Sequence, residues 1–170
     1  MNDVLARWNR LSAEEAAGEI LLCCGSAAWA RELAARRPFD DEPSLTKASD
    51  EIWLRLAKQD WMEAFSKHPR IGERKAPQAA STQSAAWSAQ EQQSVETAPE
   101  AVQSELAEAN REYERTFGRV YIVCATGRSA PEMLEILRRR LHNNVATELN
   151  EAGEEQRKIT NIRLKKWLHS

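Results

Sequence analysis

Four tetrads of the form Ser/Thr-x-x-Glu, at Ser12–Glu15, Ser88–Glu91, Thr97–Glu100 and Ser129–Glu132, most constrain what this chain can fold into. In a capping box of this kind the hydroxyl accepts an amide hydrogen from the first helical turn. The carboxylate reaches back to the amide of the cap, so two donors that a helix leaves unpaired are satisfied together. Glycine and proline, six of each in 170 residues, are too few to punctuate many short strands, while Ala, Glu, Leu, Arg and Gln recur throughout. The expected fold class is therefore all-α: an irregular bundle of about seven helices, with one short extended crossing segment, in a single domain over 1–170.

The apolar spacing places the elements. A helix opened by Ser12 runs through Ile20 to Cys24, and Gly25 interrupts it; a second carries Trp29 and Leu33 and stops at Pro38. From Ser44, residues Trp53, Leu56, Ala57, Trp61, Ala64 and Phe65 follow i, i+3, i+4 spacing and predict one helix ending at His68-Pro69. Residues 69–86 lack an apolar period and read as the longest loop. Thr97 opens a helix with Val102, Leu106, Ala109, Tyr113 and Phe117 on one face, closed by Gly118. Val120 to Cys124 is short, apolar and β-prone without a partner strand, hence the crossing segment. Ser129 then opens a helix striped by Leu134, Leu137, Leu141, Val145 and Leu149, and Gly153 separates it from a last helix carrying Ile159, Arg163 and Trp167. The triplet Arg138 to Arg140 reads as a solvated face.

Charge and cysteine usage narrow the function. With 24 basic against 26 acidic residues there is no electrostatic footprint for a phosphate backbone, so nucleic acid is not an expected partner. No apolar run is long enough to span a membrane. Cys23 and Cys24 are adjacent and Cys124 stands apart, which suits neither a disulfide framework nor a metal knuckle. The N-terminal residues have no basic start followed by an apolar run, and the last residues, Trp167 to Ser170, are not a peroxisomal address. The expected compartment is the cytoplasm. Metal, P-loop, dinucleotide and nucleophile-elbow motifs are missing, so the expectation is no metal and no cofactor, with chemistry run by acid–base groups and positioned hydrogen bonds.

Three features could carry such chemistry, and each has a structural alternative. His68 titrates near neutral pH and stands beside the long loop, but a histidine at a helix end is also stabilised there by the helix dipole. The Ser88–Glu91 tetrad could hold a urea-like or anionic ligand, or simply cap a helix. Arg163 falls on an inward stripe, where it could bind a substrate carboxylate or pair with an internal one.

In order along the chain come Arg37-Pro38-Phe39, His68-Pro69-Arg70-Ile71-Gly72-Glu73, Trp87-Ser88-x-x-Glu91-Gln92, Asn110-x-x-Tyr113-x-x-x-Phe117-Gly118, Ile122-Val123-Cys124, Gly127-Arg128-Ser129 and Ile162-Arg163-Leu164. Together, over nearly the whole chain, they resemble the 2-oxo-4-hydroxy-4-carboxy-5-ureidoimidazoline (OHCU) decarboxylases of urate degradation. The resemblance implies a cofactor-free, homodimeric, all-helical enzyme that converts OHCU, its small-molecule substrate, to (S)-allantoin. It implies catalytic roles for His68 and Glu91. It also implies substrate contacts from Pro69, Ser88, Gln92, the backbone at Ile122 and Val123, and Arg163. The competing expectation is a non-catalytic helical interaction module that presents a groove to a partner.

Overall fold

The computed structural model describes residues 2–72 and 82–170, and the described residues are all-helical, with no strand among them. Ten helices run in order: α1 (Asp3–Asn9), α2 (Ala13–Ile20), α3 (Ala27–Ala35), α4 (Glu42–Arg55), α5 (Lys58–Ser66), α6 (Thr82–Glu91), α7 (Gln93–Glu96), α8 (Glu100–Phe117), α9 (Ala130–Arg140) and α10 (Val145–Leu168). They fall into two compact units, one made of the residues up to Ala64 with Arg157–Ser170, the other of Phe65–Gln156.

The first unit is built on caps and tryptophans. Asn2 caps α1 by accepting from the Val4 and Leu5 amides, and Ser12 and Glu15 form the expected capping box on α2. Ser26 and Asp41 cap α3 and α4 by the same physics. Trp8 is fully buried; its indole N–H donates to Ala16 O at 3.0 Å, Phe39 stacks on it and Trp167 meets it edge-on. Arg37 lies over the same ring and donates to Ala34 O, Trp8 O and Leu11 O, giving helix-end carbonyls the partners they would otherwise lack. Five of the six tryptophans, Trp8, Trp29, Trp53, Trp61 and Trp167, belong to this unit.

One helix was expected from Ser44 to His68-Pro69, but the chain leaves the helix at Leu56, whose ψ of 151° is extended, and α5 ends at Ser66. Trp61 explains how the break is tolerated: its indole N–H donates to Trp53 O at 2.9 Å, and the two rings stack 5.2 Å apart. A side chain thus satisfies a carbonyl that a continuous helix would have used.

The second unit packs α8 against α9. Leu106, Ala109 and Tyr113 from α8, Met133, Leu134 and Leu137 from α9, and Tyr121, Val123 and Ala125 between them form its apolar core. Gly118 ends α8 at φ 69°, a left-handed conformation that favours glycine, and its amide closes onto Glu114 O at 2.8 Å. Residues 120–125 then belong to neither helix nor strand, where an extended crossing segment was expected over 120–124. Both tyrosines of the chain stand in this unit.

Several expectations are corrected here. Arg140 does not face solvent: it is fully buried, donates to the equally buried Glu148 through Nε at 2.9 Å and also through Nη2, and lies 4.8 Å over the Tyr121 ring. Tyr113 Oη and Asn143 Nδ2 take further lone pairs of Glu148. Only Arg138 and Arg139 of the triplet are exposed, paired with Glu105 and Glu151. The helix opened by Ser129 ends at Arg140, so Val145 is 58% exposed and Gly153 lies inside α10 and does not separate two helices. Thr97 caps nothing at α8; it is the C-cap of α7, and Pro99 stands at the start of α8. Residues 82–86, expected in a loop, are already α6, while 73–81, Glu73 included, lie outside the described residues.

Candidate functional site

Seven of the eight sequence-predicted site residues lie in the second unit, on three pieces of backbone. His68 follows the end of α5, where its amide donates to Phe65 O at 3.1 Å, so the imidazole leaves the helix end in a fixed direction. Pro69 beside it is buried. The next residues are pinned from two sides: Asn110 Nδ2 reaches Ile71 O at 3.5 Å, and Gly72 N–H donates to Gln92 Oε1 at 3.1 Å.

The second piece is α6. Ser88 and Glu91 are not a capping box, because Ser88 lies inside the helix and Glu91 at its end. The i, i+3 spacing instead puts Ser88 and Glu91 on one face of α6, and Gln92, just past its end, donates its backbone amide to Ser88 O at 3.2 Å. Ser88 is 4% exposed. Gln92 uses its carbonyl oxygen on the Gly72 amide, which leaves its amide hydrogens as the donors available for a ligand.

The third piece is the crossing segment between α8 and α9. Ile122 and Val123 are buried, and Ile122 O accepts from Arg140 Nη1 at 2.6 Å. The buried ion pair thereby holds the backbone of the crossing segment. Burial first, and then the charges of Glu155 and Glu91, push the Cys124 thiol above the ordinary range. Glu155 accepts from Arg128 Nη1 at 2.8 Å and from the Cys124 amide at 3.4 Å.

The sequence reading missed Gln156. It is fully buried on α10, and its Oε1 stands 2.7 Å from His68 Nε2. The signal was present: Gln156, Ile159, Arg163 and Trp167 follow i, i+3, i+7, i+11 spacing.

Arg163 belongs to the first unit, where it is 3% exposed on α10. Its charge reaches Cys23 and Cys24, opposing the burial that pushes the Cys24 thiol up to about 11. A groove of about 670 Å³ also borders the turn after His68, lined by Arg70, Gly72, Asn110, Arg111 and Glu114, and none of the eight predicted residues lines it. Among the described residues no three of His, Cys, Asp and Glu gather to hold a metal ion, and no helix is long and apolar enough to cross a membrane.

Comparison with known proteins adds the family. The chain is 36% identical over 146 residues to the uric acid degradation bifunctional protein TTL of Arabidopsis thaliana, covering 85% of this chain and 45% of that protein. It thus spans less than half the length of that curated relative. A crystal structure of an OHCU decarboxylase in the presence of (S)-allantoin superposes with a TM-score of 0.75 at 33% identity, covering 89% of this chain and 98% of the other. An (S)-allantoin synthase structure, 17% identical, shares the fold with a TM-score of 0.71 over 96% of this chain and 53% of that one. The family model for OHCU decarboxylase matches residues 9–165, and with nearly its whole length inside that match this chain belongs to the OHCU decarboxylase family.

Proposed function

We propose that the chain decarboxylates OHCU to (S)-allantoin, with His68 and Glu91 as its catalytic residues. The observation that carries the reading is that one unit holds both a histidine hydrogen-bonded to a buried amide and the Ser88–Gln92 segment, and that Gln92 Oε1 accepts from the Gly72 amide four residues after that histidine. The substrate's carboxylate sits on a carbon next to a ring C=N bond. As the C–C bond breaks and CO2 leaves, its electron pair moves into that bond, so the substrate itself accepts the electrons. His68 takes the hydroxyl proton on the same carbon, which becomes a carbonyl. That proton and one from solvent end as the new N–H and C–H of the product. Delivery of the C–H proton to one face sets the (S) configuration.

Ser88, the amide of Gln92, Pro69 and the backbone at Ile122 and Val123 would orient the ureido and ring groups. Arg163 enters on the family resemblance, as a guanidinium for the substrate carboxylate. The same resemblance supports a single domain acting as a homodimer without cofactor. Three buried, unbridged cysteines support a cytoplasmic, reducing setting.

The test is circular dichroism of allantoin formed when OHCU, generated in place from urate by the two preceding reactions, is offered to the protein. A growing signal of one enantiomer is expected. Decay at the uncatalysed rate to racemic, signal-free product would overturn the proposal.

A further inference from the structure

We infer that Gln156 is the positioning residue that sets the tautomer of His68, so that the neutral ring carries its proton on Nε2 and its basic lone pair on Nδ1. The inference rests on the proposed role of His68 and adds which nitrogen does the work. The 2.7 Å contact joins Nε2 to Oε1 of the amide. An amide oxygen has no hydrogen to give, so the ring nitrogen must be the donor in both its neutral and its charged form. Gln156 is fully buried on a helix, so its oxygen is a fixed acceptor and not a mobile one.

The chemistry of position 156 matters as much as its place. A carboxylate there would also orient the ring, but its charge would favour imidazolium and take the base out of use near neutral pH. An amide orients without adding charge. The neighbouring residue shows the division: the carboxylate of Glu155 goes to Arg128 and the Cys124 amide, while the amide of Gln156 goes to the histidine. Exchanging the two residue types would put a negative charge on the base and leave Arg128 without its partner.

Nitrogen NMR of the full chain with 15N-histidine reads the tautomer directly, with His68 assigned by the signal lost in His68→Gln. At a pH where the ring is neutral, the wild-type protein is expected to show a protonated Nε2 and an unprotonated Nδ1. Gln156→Met, close in size, is expected to lose that preference and to lower kcat about ten- to a hundredfold, by analogy with the range found when the partner that orients a metal-ligating histidine is removed. KM should stay within about twofold, because the ring and not the binding surface is disturbed.

Gln156→Glu should keep the proton on Nε2 but hold the ring charged to higher pH, moving the acid limb of the kcat profile upward. Glu91, Glu155, Arg128 and the Arg70–Glu114 pair, charged groups of the same unit, are the same in both proteins, so that shift reads position 156. A wild-type ring with its proton on Nδ1 would overturn the inference, as would a methionine variant that changes neither tautomer nor kcat. The decarboxylase reading fails separately, if the wild-type protein leaves OHCU decay unaltered while the NMR still shows the proton placed by Gln156.

Discussion

At the scale of single side chains, His68→Ala removes the proposed proton acceptor while leaving the turn that carries it. Turnover is expected to fall by about two to four orders of magnitude, with the far-ultraviolet spectrum and melting temperature near those of the wild type. Near wild-type turnover by a folded variant would refute the assignment. Arg163→Met tests a different idea. Losing a charge-assisted hydrogen bond to a substrate carboxylate costs roughly 1.5–3 kcal/mol, so KM should rise by about tenfold or more. A lower melting temperature with an unchanged KM would instead make Arg163 an internal structural cation. His68, Ser88 and Glu91 could be proposed from the chain because their motifs are local. Gln156 could not: its partner is 88 positions away.

At the scale of elements, the junction of α9 and α10 depends on the Arg140–Glu148 pair, both members without exposed surface. Removing one charge strands the other in a medium where desolvation is costly, so Arg140→Met should destabilise the protein by about 3–5 kcal/mol. Adding Glu148→Gln, which removes the stranded charge and keeps an acceptor for Tyr113, should restore a large part of that loss. Thermal melts of the single and double variants decide it; equal melting temperatures would mean the pair is not what joins these helices. The same pair shows where sequence reading stops. Ser12 and Ser129 form their capping boxes because donor and acceptor are three residues apart. Arg140 looked like surface because its neighbours Arg138 and Arg139 are surface, and the carboxylate that buries it lies across a helix break. Thr97 carried the capping pattern yet ends α7, because the pattern does not say on which side of the hydroxyl the helix lies.

For the molecule as a whole, acid should be the direction of weakness. Glu19 is held below the ordinary range by Arg7 and Trp167, Glu151 by Arg139 and Asn143, Glu15 by Ser12 and Asp41 by Ser44. A carboxyl whose folded pKa is depressed contributes stability in full above its unfolded value. That contribution is lost as pH falls through the folded value. The melting temperature is therefore expected to be level from about pH 7 to pH 5 and to drop below roughly pH 4; a level profile down to pH 3 would contradict these pairings. The partition of aromatic residues adds a consequence of another kind. With five tryptophans in one unit, and both tyrosines and only Trp87 in the other, indole emission reports mainly the first unit and phenol absorption the second. Unfolding followed in both channels at once would show, without any label, whether the two units melt as one cooperative body or in turn. A variant keeping Trp87 as its only indole would place a single lamp on the helix that carries Ser88 and Glu91.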